Sequence, residues 1–490
     1  MENVFMNWSV SLDISNVIAP VAPEIYGGFV EHLGRNVYGG IFDPTDPMAD
    51  EDGFRKDVLL AIQELGTPVT RYPGGCFTDT WHWEEGIGPR ERRFARLDYA
   101  WKQNEPNTFG IDEFMKWAEK AGTEPVITIN LSTRGILEAA DLFEYCNVPS
   151  GTRYSDLRRK NGRAKPYNVR YWCLGNEIYG SWEIGQRPAA EYGRLARETA
   201  KMLKRYDPSL KMILCGCNYD QQWNRTVLEE AYEYIDLLSL HETFNIKRWS
   251  TEEFICRTDA FEESLQSNWQ LCESVKTMKK ATNEVALSID EWIVWDENQR
   301  EMPEERWSSG RHMLEQDFTM LEAALTGQLF SMFHNNADIV KLACVAQSVN
   351  VIAPIRTAPG GKLWKQTTFY PFSLTSRYGR GSALRLNQPP EQRKDFYMSA
   401  IWNSTCSELV LFLTSRNLVE PVAFECSVSG RQTAGKPTGV TLATPDWCTV
   451  NTQDAAVVVP RSFQGLVLKD NTISGVLEPG SWNMIRLPCE

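Results

Sequence analysis

Val169-Arg-Tyr-Trp-Cys-Leu-Gly-Asn-Glu177 is an apolar run that stops on a carboxylate. The same plan returns at Val285-Ala-Leu-Ser-Ile-Asp-Glu-Trp292, where Glu291 closes the run. Runs of this kind, apolar on both faces and bounded by turn residues, predict short strands buried on both sides. Working outward, six more fit the description: Glu24–Glu31, Pro68–Pro73, Pro125–Asn130, Lys211–Cys217, Ile235–His241 and Ile339–Val349. Between the strands lie stretches of helical period. Phe109–Gly122, Pro188–Tyr206, Asp259–Ala281, Arg311–Asn336 and Trp364–Tyr378 are the clearest. Pro188 suits a helix start, and Asp207-Pro208 just past Tyr206 suits a stop. Strand and helix alternating eight times predict an α/β protein, a closed parallel (β/α)8 TIM barrel. A doubly wound sheet is the alternative; it usually brings a Gly-rich phosphate turn, and none is seen.

Past Arg380 the helical period stops. Short runs at Phe396–Ile401, Leu409–Leu413, Val422–Val428, Ala455–Val459 and Trp482–Leu487 alternate with Gly, Pro, Asn and Asp, the pattern of an antiparallel β-sandwich. Trp8-Ser-Val-Ser-Leu-Asp13 also reads as strand. The expected division is residues 1–19 as strand joining the sandwich, 20–379 as the barrel, and 380–490 as the sandwich.

The 490 residues carry a net charge of −13, with 42% hydrophobic and 23% charged residues. Such a chain suits a globular protein and argues against nucleic acid or an anionic membrane as partner, since both call for basic patches. No apolar run approaches the roughly 18 residues of a membrane span. The start, Met1-Glu-Asn-Val-Phe-Met-Asn-Trp8, lacks the basic-then-apolar order of a signal peptide, so a cytoplasmic setting is expected. Twelve cysteines are scattered, several within strand runs, with no Cys-x-x-Cys. They read as small buried hydrophobes, and no structural metal is expected.

In a parallel barrel, functional groups gather where strands end and the following loops begin. Those positions hold Glu31, Arg71, Asn176, Glu177, His241, Glu291 and Gln347. Glu177 and Glu291 follow the fourth and seventh strands, so inward side chains there face each other across the mouth. Paired carboxylates about 5–5.5 Å apart perform double displacement at a glycosidic bond; about 6.5–9.5 Å leaves room for an inverting water. The plain alternative, an ion pair with a neighbouring Arg, suits a single Glu better than this pair. Asn176 is placed to bond a sugar hydroxyl, Glu31 and Arg71 to bind hydroxyls or orient carboxylates, and His241 to tune one. Gln347 can equally satisfy backbone groups. The dense aromatics around Trp81-His82-Trp83 follow a Pro-Gly-Gly turn, which puts at least one ring, Trp83 by preference, at the cleft for stacking on a sugar. The polar stretch Asp296–Ser309 is long for a barrel loop and reads as a lid, a wall or an oligomer contact.

Ile25-Tyr-Gly-Gly-Phe-Val-Glu-His-Leu-Gly-Arg35, Arg71-Tyr-Pro-Gly-Gly75, Trp83-Glu-Glu-Gly-Ile-Gly-Pro89, Leu174-Gly-Asn-Glu177, Ser239-Leu-His241, Asp290-Glu-Trp292 and Ala346-Gln-Ser-Val-Asn-Val-Ile-Ala-Pro354 together resemble the α-L-arabinofuranosidases of glycoside hydrolase family 51. The resemblance runs from about residue 20 to 375. It implies a clan A barrel, retention of configuration, Glu177 as acid/base and Glu291 as nucleophile. It further implies Glu31, Arg71, Asn176 and Gln347 as sugar contacts, no metal or other cofactor, and a homo-oligomer, often a hexamer. The sequence departs from the family's pattern at three positions. Cys76 stands where many members carry Asn, Thr243 where many carry Tyr, and Ile293 where the family has Asn. Cys76 and Thr243 fall at the expected glycone pocket. The expected activity is exo-hydrolysis of arabinose-containing oligosaccharides. The alternatives are the same chemistry on a galactofuranoside, endo-action on a β-glucan or xylan, or a carbohydrate-binding protein without turnover.

Overall fold

Eight strands become the staves of a barrel: Gly28–Phe29, Val69–Tyr72, Glu124–Thr128, Tyr171–Leu174, Lys211–Cys215, Leu237–Asn245, Ala286–Trp295 and Val340–Val345. In the computed structural model, which describes residues 7–300 and 307–490, each pairs in parallel with the next in chain order. The ring closes where Gly27 meets strand eight. Its N–H donates to the Ala343 carbonyl at 2.8 Å, and its carbonyl accepts from Val345 N at 3.0 Å. A Cβ at Gly27 would lie 2.6 Å from both Ala343 O and Cys344 Sγ, so closure requires glycine there. Phe29, Val69, Val126, Cys173, Ile213, Leu342 and Cys344 fill the barrel's interior.

The first strand is shorter than its apolar run. Pro23 opens a 3-10 turn over Pro23–Tyr26, and only Gly28–Phe29 pair. The helix between strands seven and eight is also shorter than its period suggested: it spans Met320–Asn335, not Arg311–Asn336. Its start is set by a reciprocal cap, in which Thr319 Oγ1 accepts from Glu322 N at 3.4 Å and Glu322 Oε2 accepts from Thr319 N at 2.7 Å. Leu363–Lys365 do not join the last helix. They pair with Ile355–Thr357 as a hairpin, and the helix runs Phe369–Tyr378.

The second body is a ten-stranded sheet, antiparallel except at one pair. The N-terminal strand Asn7–Pro20 lies between Ser382–Asn387, antiparallel, and Val422–Ser429, parallel. One face forms its own core around Val10, Leu384, Met398, Leu411 and Phe424. The other face presents Tyr397, Phe412 and Trp482 to the barrel. Met320–Asn335 is wedged between the two bodies, and every residue from Met320 to His334 is buried. Trp482 reaches it at Gly327, where a Cβ would lie 2.1 Å from the indole Cδ1. His334 bridges Tyr26 Oη at 2.7 Å and Ser399 Oγ at 3.0 Å, and burial pushes its imidazole down to about 3, so it is neutral. No helix among the described residues is long and apolar enough to cross a membrane.

Candidate active site

A cavity of about 560 Å3 opens at the carboxyl ends of the barrel strands. Its floor is organised by Arg71, which the register places between Phe29 and Val126. The guanidinium stacks 4.6 Å above the Phe29 ring and is fully buried. Nη1 donates to Glu291 Oε2 at 2.9 Å, Nη2 to Asn176 Oδ1 at 2.8 Å, and Nε lies 3.3 Å from Asp290 Oδ2. One cation thus ties strand two to the ends of strands four and seven, as a planar fork of donors can.

Glu177 leaves strand four through Gly175, whose φ is +92°, and is itself held at φ +37°, a left-handed conformation that a residue with a Cβ rarely adopts. That bend turns its carboxyl over the mouth. Trp182 Nε1 donates to Oε2 at 2.7 Å and Tyr179 Oη to Oε1 at 3.3 Å. His241 Nδ1, from strand six, lies 3.0 Å from Glu177 Oε1 and 3.7 Å from Glu291 Oε2. Its Nε2 is 3.7 Å from Asp290 Oδ2. Closest donor atoms of Glu177, His241 and Glu291 all fall within 4.8 Å of one another.

The charges divide unevenly. Burial opposes charge on His241, but Glu291, Asp290 and Glu177 outweigh it and raise the imidazole to about 10. Burial is likewise outweighed at Asp290, which Arg71 and His241 hold well below the usual carboxylate range. With the proton on His241, Glu177 is lowered in spite of burial, helped by Trp182 and Tyr179. Burial and the Glu177 charge raise Glu291 against the pull of His241 and Arg71.

At the other end of the cavity stands Glu31. Its Oε1 accepts from Phe77 N at 3.1 Å and Trp101 Nε1 at 3.0 Å, and its Oε2 accepts from Gln347 Nε2 at 2.8 Å. Burial, then the charge of Glu291, pushes this carboxyl up to about 8. Gly75 passes so close that a Cβ would sit 2.6 Å from Glu31 Oε1. Trp101 is carried on a small hairpin, Arg96–Asp98 with Gln103–Glu105, whose tip lines this end of the cavity. Cys76 Sγ, kept protonated by burial and by Glu183, donates to Glu183 Oε1 at 3.0 Å.

Two family models match the chain, the α-L-arabinofuranosidase 1 domain over residues 61–266 and the α-L-arabinofuranosidase C-terminal domain over 290–481. The intracellular exo-α-(1→5)-L-arabinofuranosidase of Acetivibrio thermocellus is 40% identical over 98% of this chain and 99% of its own length. That of Bacillus subtilis, also 40% identical, covers 96% of this chain and 97% of itself. Among solved structures, a family 51 α-L-arabinofuranosidase from Bifidobacterium longum superposes with a TM-score of 0.91 at 34% identity, over 98% and 99% of the two chains. This chain belongs to glycoside hydrolase family 51.

Within this family 51 arabinofuranosidase, Glu31, Cys76, Glu177, His241, Thr243 and Glu291 line one cavity. Arg71, Asn176 and Gln347 lie just beneath it, each bonded to a lining carboxylate or to its neighbour. Trp83 is elsewhere: it is 2% exposed, with its ring against Tyr145 at 5.1 Å and Tyr154 at 5.3 Å. The Pro-Gly-Gly turn sends both Trp81 and Trp83 inward, and the indoles that line the cavity are instead those of Trp101, Trp182 and Trp295. Trp101, Asp79 and Glu183 went unread because they sit in irregular loops with no period to mark them. Asp290 had a visible signal, its place beside Glu291 at a strand end. Of the stretch Asp296–Ser309, residues 301–306 lie outside the described residues. Its first flank lines the cavity, with Arg300 over Trp295 at 5.9 Å, and beyond the gap Trp307 packs against Tyr99 at 5.9 Å.

Proposed function

We propose that the protein is an exo-acting, retaining α-L-arabinofuranosidase that releases terminal arabinose from short arabinose-containing oligosaccharides. The observation that carries this is the approach of the Glu177 and Glu291 oxygens within 4.8 Å, with His241 between them. So close an approach suits double displacement better than the wider spacing that an inverting water needs. The bond from Trp101 to Glu31, with Gly75 against the same carboxyl, supports exo-action, because it puts a barrier across the path of a longer chain.

Glu291 is the nucleophile and Glu177 the acid/base. In the empty site the proton resides on His241. When the sugar expels water, a separated His241–Glu177 charge pair becomes costly, and the proton crosses the 3.0 Å from Nδ1 to Oε1. Glu177 is then a neutral acid. The transfer removes the opposing charge of Glu177 and the larger pull of His241 together, so it is Arg71, 2.9 Å away, that holds Glu291 as an anion. Glu291 attacks the anomeric carbon, the bond to the leaving oxygen breaks, and Glu177 gives that oxygen its proton. Water then enters and loses a proton to Glu177. Its oxygen displaces Glu291, and the sugar leaves with its starting configuration.

A panel of aryl arabinofuranosides, galactofuranosides, xylosides and glucosides tests the reading, with the first-formed anomer observed by NMR. Arabinofuranoside turnover with retention is expected; an inverted first product would sink the double displacement. Glu291→Ala abolishes covalent labelling by a mechanism-based furanoside. Glu177→Ala keeps activity on excellent leaving groups and loses it on poor ones. Equal loss on both kinds would overturn the assignment of Glu177. Like the relatives named intracellular, the enzyme works in the cytoplasm on imported fragments.

A further inference from the structure

Asp79 and Glu183 are buried, at 1% and 6% exposure, and their carboxyls meet in the cavity wall. They come from different loops, after strands two and four. No Arg, Lys or His among the described residues forms an ion pair with either. Two cations reach the pair only through intermediaries: Arg71 bonds Asn176, and Arg187 Nη2 donates to the Ser132 carbonyl at 3.0 Å. The other charged group facing the pair is Glu177, also acidic. Two carboxylates in contact without a cation cannot both be ionised.

The hydrogen bonds show where the proton sits. Asp79 Oδ1 accepts from Ser132 Oγ at 2.5 Å and Oδ2 from Ile184 N at 2.7 Å. Glu183 Oε1 accepts from Cys76 Sγ at 3.0 Å and Asn176 Nδ2 at 3.1 Å. Glu183 Oε2 alone is buried with no donor pointing at it. A proton on that atom, donated to Asp79, leaves no oxygen of the pair unsatisfied.

We propose that Glu183 is a positioning residue that works as a neutral acid: its Oε2–H is anchored on Asp79, and its Oε1 aims Cys76 and Asn176 at the sugar. Burial, then Asp79, push the Glu183 carboxyl up to about 11, which agrees with the geometry. The device converts two acids into one fixed acceptor. It places a single negative charge on Asp79, behind Glu183 as seen from Cys76 and Asn176. The inference rests on the arabinofuranosidase reading for its kinetic arm and on geometry alone for its spectroscopic arm.

The test compares wild type with Glu183→Ala, Glu183→Gln and Asp79→Asn. Glu183→Ala frees Cys76 and Asn176 and lowers kcat/KM for an aryl arabinofuranoside about 10²-fold, the cost of a misplacement near 1 Å. Glutamine presents a carbonyl to Cys76 and Asn176 and an N–H to Asp79, so Glu183→Gln recovers most of that loss, at least about tenfold. Infrared difference spectra at neutral pH show one carboxylic-acid C=O stretch present in wild type and missing from Glu183→Gln. In Asp79→Asn the amide can donate to Glu183, and the same band is lost. If Glu183→Gln is as damaging as Glu183→Ala while folded, or if the band persists in Glu183→Gln, the inference falls. Should Glu183→Ala not fold, the band and Glu183→Gln against wild type still decide. A wild type inactive on arabinofuranosides would defeat the proposed function and leave the infrared result standing.

Discussion

His241 stands within 3.7 Å of three carboxylates, Glu177, Asp290 and Glu291. Raised to about 10, its folded-state value lies above the ordinary 6.5. Protons are therefore bound more tightly in the native state, and the stability this adds is complete below about pH 6.5 and is lost as pH climbs through about 10. Thermal scans of wild type and His241→Asn should show the gap between their midpoints changing steadily in wild type's disfavour from pH 6.5 to 10. A gap independent of pH would mean His241 is neutral in the fold. Gly75 sets a second expectation. A methyl at 2.6 Å from Glu31 Oε1 must displace that carboxyl or the turn, so Gly75→Ala should cost about 1–3 kcal/mol of overpacking and raise KM. An unchanged KM would show that Glu31 can yield. At this scale the sequence betrayed the strand-end residues, because a barrel sends strand ends to one rim. It hid Glu183, Asp79 and Trp101, because their meeting depends on how three irregular loops cross.

Elements were legible in proportion to their periodicity. All eight strands form where their runs lie, the first much shortened, and the amphipathic helices Ile111–Ala121 and Ala189–Tyr206 follow their patterns closely. Met320–Asn335 does not, since it is apolar on every side and offers no contrast by which to find its end. Its start is chemical: the Thr319–Glu322 cap satisfies two backbone donors that the first turn leaves free. Thr319→Ala should lower stability by about 1 kcal/mol, read as a lower midpoint of chemical unfolding. A midpoint equal to wild type would show the start to be fixed by packing alone. The hairpin bearing Trp101 is an element no period announces. Its strands have three residues each, and its purpose is visible only in the bond from its tip to Glu31.

At the scale of the whole molecule, Met320–Asn335 is the shared core of barrel and sheet. Trp482 enters it where Gly327 provides a gap, and Gly327→Val places a methyl about where the indole now lies. That substitution should cost about 3 kcal/mol or more. Pairing it with Trp482→Ala should recover part of the loss, as coupled neighbours do. Strict additivity of the two would mean that the contact does not join the bodies. The presence of a sheet after Arg380 was readable from its short runs and turns. Its topology was not, because the parallel partner of Asn7–Pro20 lies some four hundred residues away, at Val422–Ser429. That pairing has a consequence for biosynthesis. Asn7–Pro20 is made before the barrel and receives neither of its partners until Ser382–Asn387 and Val422–Ser429 have followed. The barrel is therefore synthesised with this segment unpaired, and the middle of the sheet is completed only after the barrel's own strands have been made.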